Sequence, residues 1–428
     1  MPTDPPSLTA RLDAVRREAL SRLDATALVR SALEARPPLL PGNAPVRVLS
    51  LGKSAAPMMA GALEVLGARA RDALCLAPHG ATAPAGARLA TGGHPDPDAG
   101  SLAAGSAALA WADASRGAPA LVLLSGGASA LAAAPAEGLS LEDKLRTAAL
   151  VMASGATIAE LNAVRKHLSR LKGGRLALHL AGPATVLVIS DVPGNDLSTI
   201  GSGPMAPDPT TWDDVARALA RPGVAGRVPP AVESLVRARP AAAETPKPGD
   251  PRLGAARHLL LAGPADLARA ARDAALALGF RAEADPAPLA GDVASVAARL
   301  AAWVAREPSG SGPRLLALAG EPTVTVPPTA ARPDGGREQH LALLAALAIE
   351  GRDAAVLAAG SDGRDGPTEH AGAAVDGGAA ARARTLGLDL VEALREARSG
   401  PACAALGVAL PRHEAATHLA DLVLVAAR

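Results

Sequence analysis

Val46-Arg-Val-Leu-Ser-Leu51-Gly52-Lys53-Ser54 is the stretch on which the fold turns. A short apolar run suited to a strand ends in glycine, and an Ala/Met/Leu-rich segment to about Leu66 follows with helical character. Ser54 suits the cap of that helix and Pro57 its first turn. Gly-Lys-Ser looks like the tail of a phosphate-binding P-loop, but the glycine needed five positions before Gly52 is replaced by Arg47. Lys53 is thus expected at a helix N-terminus, where unsatisfied N–H groups favour an anion. On this stretch alone, a solvated surface lysine and an anion ligand are equally good readings.

Outward from it, the alternation repeats. Residues 7–36 are expected to form one helix, ended by Pro37-Pro38. Strand-like runs at 73–78, 120–124 and 185–190 alternate with helical segments at 99–113 and 141–171. A Pro-rich stretch at 237–252 reads as a linker or long surface loop, and 309–313 as a second break. Between and beyond these, strands are expected at 258–262, 281–284, 315–319 and 354–359, with helices at 266–278, 292–306 and 339–349. Such βα alternation predicts an α/β protein with a mostly parallel sheet covered by helices on both faces. At 428 residues the chain is too long for one typical core, and two domains are expected, 1–245 and 250–428.

Composition narrows the function classes. Basic and acidic residues nearly balance, 43 against 42, so no basic patch points to nucleic acid. Aromatics are scarce, Phe280 and three tryptophans with no tyrosine, which argues against base-stacking platforms. Two cysteines far apart, Cys75 and Cys403, make neither a disulfide framework nor a zinc site. No signal-like start and no membrane-length apolar run occur, so a soluble cytoplasmic protein without membrane partners is expected.

Several loops repeat the opening form. Leu121-Val-Leu-Leu-Ser125-Gly126-Gly127-Ala128-Ser129 runs from strand to glycine turn, and such backbone leaves N–H groups open to a phosphate. A tight strand-to-helix turn is the equal alternative. In the segment 158–171, Asn162, Lys166 and Ser169 share one helical face with Arg165 beside them: a solvated basic face or an anion-binding one. Thr185 to Asp191 ends a strand with an acid, and His94-Pro95-Asp96-Pro97-Asp98 is rigid and acidic. Gly336-Arg337 places a fixed cation before a helix, as Lys53 does. Ser361-Asp362-Gly363-Arg364-Asp365-Gly366 reads as an Asx-type turn or a place for a hard cation. Gly201-Ser-Gly203-Pro-Met-Ala206 fits the dinucleotide pattern formally, but it follows no strand directly, and Pro204 and Pro207 oppose the required helix. Cations at Lys53 and Arg337 with acids at Asp191, Asp362 and Asp365 are the parts that phosphoryl transfer uses.

Taken in order, Gly52-Lys53-Ser54-Ala55, Gly93-His94-Pro95-Asp96-Pro97-Asp98, Ser125-Gly126-Gly127-Ala128-Ser129-Ala130, Asn162 to Ser169, Lys172-Gly-Gly-Arg175, Ser190-Asp191-Val-Pro-Gly194, Gly320-Glu321-Pro, Gly336-Arg337 and Asp362 to Thr368 resemble the glycerate 2-kinase family. The resemblance spans nearly the whole chain. It implies a Rossmann-like three-layer N-terminal domain, a smaller C-terminal α/β domain containing a MOFRL region, and an active site in the cleft between them. It further implies ATP-dependent phosphorylation of D-glycerate to 2-phosphoglycerate with Mg²⁺. Lys53 and Arg337 match the family's catalytic basic positions, and Asp191 is the candidate base or metal contact. Gly52, Ser54, Ser125, Gly126, Gly127 and Ser129 are the expected nucleotide site, and His94, Asn162, Arg165 and Lys166 the expected acceptor site. Asp191, Asp362 and Asp365 are the candidate Mg²⁺ ligands, and a homodimer is carried as the expected assembly.

The chain departs from the family in three places. Asn195 stands where an acid is usual, Glu338 where an Asn is usual, and Ala409 to Thr417 replaces a Thr-Gly-Pro-Thr-Gly-Thr-Asn loop. The altered C-terminal segment keeps a non-catalytic sugar-acid-binding relative open beside the kinase; the other alternative, an NAD(P)-dependent hydroxypyruvate reductase, is disfavoured by the lack of a credible dinucleotide fingerprint.

Overall fold

A computed structural model describes residues 6–35, 39–40, 42–253, 256–306, 311–326, 334–413 and 417–428. The expected helix stop at Pro37-Pro38 and residues 309–310 of the break at 309–313 lie outside the described residues. The chain forms two compact units. One comprises Ala25–Ile189 and Asn195–Leu261; the other comprises Met1–Asp24, Ser190–Gly194 and Ala262–Arg428.

The first unit carries a six-stranded sheet. Its strands are β1 (Val46–Leu51), β2 (Ala70–Pro78), β3 (Ala87–Gly92), β4 (Ala120–Ser125), β5 (Ala184–Ile189) and β6 (Ala256–Ala262), ordered β3-β2-β1-β4-β5-β6. The pairs β1/β2, β1/β4, β2/β3 and β4/β5 are parallel. Both β4 and β5 are buried at every position, which explains their unbroken apolar runs: helices cover both faces. The order reverses between β1 and β4. In open α/β sheets the loops at such a switch point hold ligands. A second core joins helices Leu141–Ala153, Ile158–His167, Trp212–Leu219 and Pro230–Ala238 through Val151, Leu161, Val164, Trp212, Val215 and Val232.

The second unit has strands β7 (Arg281–Ala284), β8 (Arg314–Gly320), β9 (Ala354–Gly360), β10 (His370–Asp376), β11 (Ala409–Pro411) and β12 (Asp421–Ala427), ordered β11-β10-β9-β12-β8-β7. Only β7/β8 is parallel; β8/β12, β12/β9, β9/β10 and β10/β11 are antiparallel. Val423 and Val425 join Leu316, Leu318 and Val356 in the core under helices Val293–Val304 and Arg337–Ala348. Strand alternation sends Leu422, Leu424 and Leu357 the other way. Helices Leu8–Ser21 and Pro264–Ala277 pack on the strands as well.

The structure corrects or refines several of these expectations. The helix expected over 7–36 is two helices, Leu8–Ser21 and Ala25–Ala35, and the break falls where the chain passes from one unit to the other. The first helix belongs with the C-terminal sheet, because its buried Leu8, Leu12, Val15 and Ala19 pack there, while β6 belongs with the N-terminal sheet; the division at 245/250 shifts accordingly. Of the two readings of 237–252, linker or long surface loop, the second applies, since the stretch is pinned to its own unit: His167 Nε2 lies 2.9 Å from Glu244 Oε1, Asp208 N donates to Pro246 O at 2.9 Å, and Thr245 is buried. The acidic stretch 361–369, which follows a strand as expected, is the connection between antiparallel β9 and β10.

Candidate active site

The loops after β1, β3 and β4 meet at the switch point. Gly52 has φ +127°, and a Cβ there would stand 2.2 Å from Ser125 Oγ, so only glycine lets the two loops touch. Lys53 N donates to Gly126 O at 2.8 Å, and Ser54 N donates to Ser125 Oγ at 3.0 Å. Gly127, at φ +80°, is the next contact: a Cβ there would lie 2.8 Å from Lys53 Cγ and 3.0 Å from His94 Cδ2. Six of the expected residues, Gly52, Lys53, His94, Ser125, Gly126 and Gly127, therefore share one place. Ser54 is buried beside them, at the N-cap of helix Ala55–Leu66, though its side chain makes no cap bond.

The far end of the β4 loop reaches a second group. Ser129 Oγ lies 3.0 Å from Ser202 Oγ, and Lys172 Nζ donates to Ser129 O at 2.7 Å and Ser129 Oγ at 2.5 Å. Burial, reinforced by nearby Lys144 and Arg165, holds the Lys172 ammonium pKa well below the usual lysine range. Burial lowers the Lys144 pKa to about 7, with Arg165 and Arg175 adding to the effect. Arg165 is lowered by burial alone. Lys144 belongs to none of the sequence motifs, and Ser202 enters them only within Gly201-Ser-Gly203-Pro204. The signal for Lys144 was available: it falls on the buried stripe of its helix with Thr147 and Val151, where a lysine has no ordinary reason to sit.

The remaining expected acceptor residues are less uniform. Asn162 is buried on helix Ile158–His167. Lys166 is buried too, but its Nζ pairs with Asp208 Oδ1 at 3.2 Å, and Asp208 is itself fully buried. That pair is internally neutralised, so Lys166 offers little net charge to a ligand. Arg165 keeps no such partner among the described residues.

In the other unit Arg337 opens helix Arg337–Ala348. Its Nε donates to Asp421 Oδ2 at 2.6 Å and to Glu338 Oε1 at 3.1 Å, and its Nη1 to Glu321 Oε1 at 2.8 Å. Burial works against its charge, but Asp421, Glu338 and Glu321 together hold its pKa above the usual arginine value. Burial, then Asp421 and Asp365, pushes the Glu338 carboxyl well above the ordinary range, and burial raises Asp421 against the pull of Arg337.

The expected metal ligands do not assemble. Asp365 Oδ1 accepts from Glu338 N at 3.2 Å and Oδ2 from Gln339 N at 2.8 Å, so both oxygens cap the Arg337–Ala348 helix. A Cβ on Gly336 would stand 1.7 Å from Asp365 Oδ1, which accounts for the glycine before Arg337. Asp362 accepts from Arg364 N at 3.0 Å, closing the Asx turn, and its Oδ2 lies 3.6 Å from His418 Nδ1. Asp191 follows β5, part-buried, next to Ser190, whose Oγ accepts from Val192 N. Among the described residues no group of three or more His, Cys, Asp or Glu is placed to hold a metal ion. The altered segment near the C-terminus is tied to the first helix: Arg16 Nη1 lies 3.4 Å from His413 Nε2, and Thr417 Oγ1 donates to Leu23 O. Residues 414–416 of it are outside the described residues.

Two family profiles match the chain: a domain of unknown function, DUF4147, over residues 11–237, and the MOFRL family over 314–421. A glycerate 2-kinase from Pyrococcus horikoshii is 36% identical over 340 residues, covering 78% of this chain and 76% of its own. A D-glycerate 2-kinase from Thermotoga maritima is 35% identical over 390 residues, covering 89% and 90%. The crystal structure of a glycerate kinase from Thermotoga maritima superposes with a TM-score of 0.84 at 30% identity, over 98% of this chain and 99% of that one. Shorter matches bear hydroxypyruvate reductase names.

Proposed function

The chain belongs to the glycerate kinase family, and from that premise we propose that it transfers the γ-phosphoryl group of ATP to the C2 hydroxyl of D-glycerate, releasing ADP and 2-phosphoglycerate. The observation that carries this reading is the convergence of Lys53, His94 and the Ser125–Gly127 loop at the switch point. In the transfer the C2 oxygen bonds to the γ-phosphorus, the bond from that phosphorus to the β–γ bridging oxygen breaks, and the hydroxyl proton leaves. Little covalent work falls to the protein; it positions the reactants and meets the charge. Lys53 neutralises phosphate oxygens, and the Ser125-Gly126-Gly127 backbone lets them approach closely. His94, beside Lys53, contacts the acceptor.

Arg337 and Asp191, in the other compact unit, are proposed for phosphate or carboxylate charge and for proton acceptance on their chemistry. Mg²⁺ commonly arrives on substrate phosphates with one or two protein carboxylates, and Asp191 and Asp362 are the side chains that suit it. Asp365 is withdrawn from that set by its capping role. The metal's contribution when bound is neutralisation of phosphate charge. No described helix is long and apolar enough to cross a membrane, and a cytoplasmic setting and a homodimer are part of the proposal.

The test is direct. With D-glycerate, ATP and Mg²⁺ the protein should form ADP and 2-phosphoglycerate in equal amounts. ADP at background with NAD(P)H consumed on hydroxypyruvate would establish the reductase instead. Binding of D-glycerate with no turnover in either assay would establish the non-catalytic relative. The reductase reading has no dinucleotide fingerprint behind it: Gly201 and Gly203 lie in and beside a short 3₁₀ turn, Ile200–Ser202, not at a strand-to-helix junction.

A further inference from the structure

Lys144, Arg165 and Lys172 form a group of cations in the first unit that no acid balances. Among the described residues no carboxylate lies within ion-pairing distance of any of them, and Lys144 Nζ has no hydrogen-bond partner although its residue is only 9% exposed. Ordinary protein interiors do not keep such a set. Desolvating an ammonium costs more than any neutral neighbour repays, and adjacent like charges add to the cost. The neighbouring Lys166 shows the usual solution, a buried acid at 3.2 Å. The three cations have been left without one.

Their position says what would balance them. Lys172 Nζ holds Ser129, and Ser129 holds Ser202, so two hydroxyls stand at the edge of the group. Ser129 also ends the loop whose Gly127 touches Lys53 and His94. Two residues of chain reach at most about 7 Å, so the two cationic groups are one loop apart. A carboxylate, with a single charge at one carbon, can serve one of them. A chain of phosphates can serve both.

We propose that Lys144, Arg165 and Lys172, with Ser129 and Ser202, are a buried phosphate subsite, continuous along the Ser125–Ser129 loop with the Lys53 end. The ligand class is a polyphosphate, and within the kinase reading, on which the choice of source rests, it is the phosphate tail of the nucleotide rather than the phosphate of 2-phosphoglycerate. Arg165 is the most exposed of the three.

The experiment is calorimetric titration of the full-length protein with pyrophosphate, ATP, 2-phosphoglycerate and D-glycerate, repeated on Lys144→Met and Arg165→Gln. Lys144→Met keeps the stem and removes an uncompensated charge, so its melting temperature without ligand should equal or exceed that of the wild type. Pyrophosphate and ATP should each bind at least tenfold more weakly to both variants, and the pyrophosphate-induced rise in melting temperature should shrink with them. D-Glycerate affinity should stay within twofold. Should Lys144→Met not fold, Arg165→Gln alone decides. Pyrophosphate and ATP affinities within twofold of wild type in the folded variants overturn the subsite. Loss of D-glycerate affinity by the same factor moves it to the acceptor's carboxylate and overturns the phosphate assignment. Loss confined to 2-phosphoglycerate overturns the nucleotide source. A protein that makes no ADP yet binds pyrophosphate through Lys144 loses the kinase reading and keeps the subsite; one that makes ADP with unaltered Lys144→Met binding does the reverse.

Discussion

Arg337 Nε donates to Asp421 Oδ2 at 2.6 Å, joining the first residue of a helix to the first residue of β12. The same nitrogen reaches Glu338 Oε1 and the other end of the fork reaches Glu321. A guanidinium so held is oriented in advance, and substitutions around it alter placement before they alter charge.

Glu338 is buried beside Arg337, and its titration sets a pH dependence. Glu338 and Asp421 both carry raised carboxyl pKa values, burial being the first cause. Unfolded, they ionise near the ordinary range of about 4. The stabilisation from holding their protons is complete below that range and is lost as pH rises through the raised native values. The variant Glu338→Gln cannot ionise there, so its melting temperature should match wild type near pH 5 and exceed it by a growing margin toward pH 8. Thermal melts across that range are the check; a margin that does not change with pH counts against a proton held on Glu338.

Asp365→Asn separates a cap from a metal ligand. Asparagine has one acceptor oxygen for the two N–H groups of Glu338 and Gln339, so the variant should lose about 1–2 kcal/mol in denaturant unfolding. The Mg²⁺ concentration giving half-maximal rate should not move. A tenfold rise in that concentration would return Asp365 to the metal.

Lys53→Ala should lower kcat by about 100-fold or more, the usual scale for losing one preorganised charge at a transferring group. Circular dichroism and melting temperature should stay near wild type, since the residue lies at a loop end. Unchanged kinetics would make Lys53 a surface lysine.

Gly52→Ala tests the junction of the two loops. The residue has φ +127°, and the added methyl would sit 2.2 Å from Ser125 Oγ and 2.5 Å from its carbonyl oxygen. A cost of about 2–3 kcal/mol is expected from the strained backbone and the displaced loop. Activity should fall with it even where the protein remains folded. Urea midpoints and initial rates measured together are the readout.

The opening stretch and the Ser125–Ser129 loop were legible because both follow buried parallel strands and both carry glycines where backbone must meet backbone. Lys53 and His94 could be named but not joined, since their contact runs through Gly127 and not through any spacing in the chain. The second sheet was harder. Ala354-Ala-Val-Leu-Ala-Ala359 and Leu422-Val-Leu-Val-Ala-Ala427 are buried on both faces, so no two-residue alternation marks them, and a buried run does not disclose strand direction. Asp365 reads as a candidate ligand in a short acidic loop; only the fold reveals that two amides from residues 27 and 26 positions away already occupy it. Lys166 and Lys144 look alike in sequence, and the difference between them is Asp208.

The first helix, Leu8–Ser21, packs on β9, β10 and β12, the last of which ends one residue before the C-terminus. During synthesis at about 5–20 residues per second, that helix emerges roughly 20–80 seconds before its final partner strand exists. Over the same interval β1 to β5 are all made and can pair. That helix is therefore made before β1 to β5 but buried after them, and its apolar face, Leu8, Leu12, Val15 and Ala19, is a surface that a nascent-chain chaperone would meet in the interval.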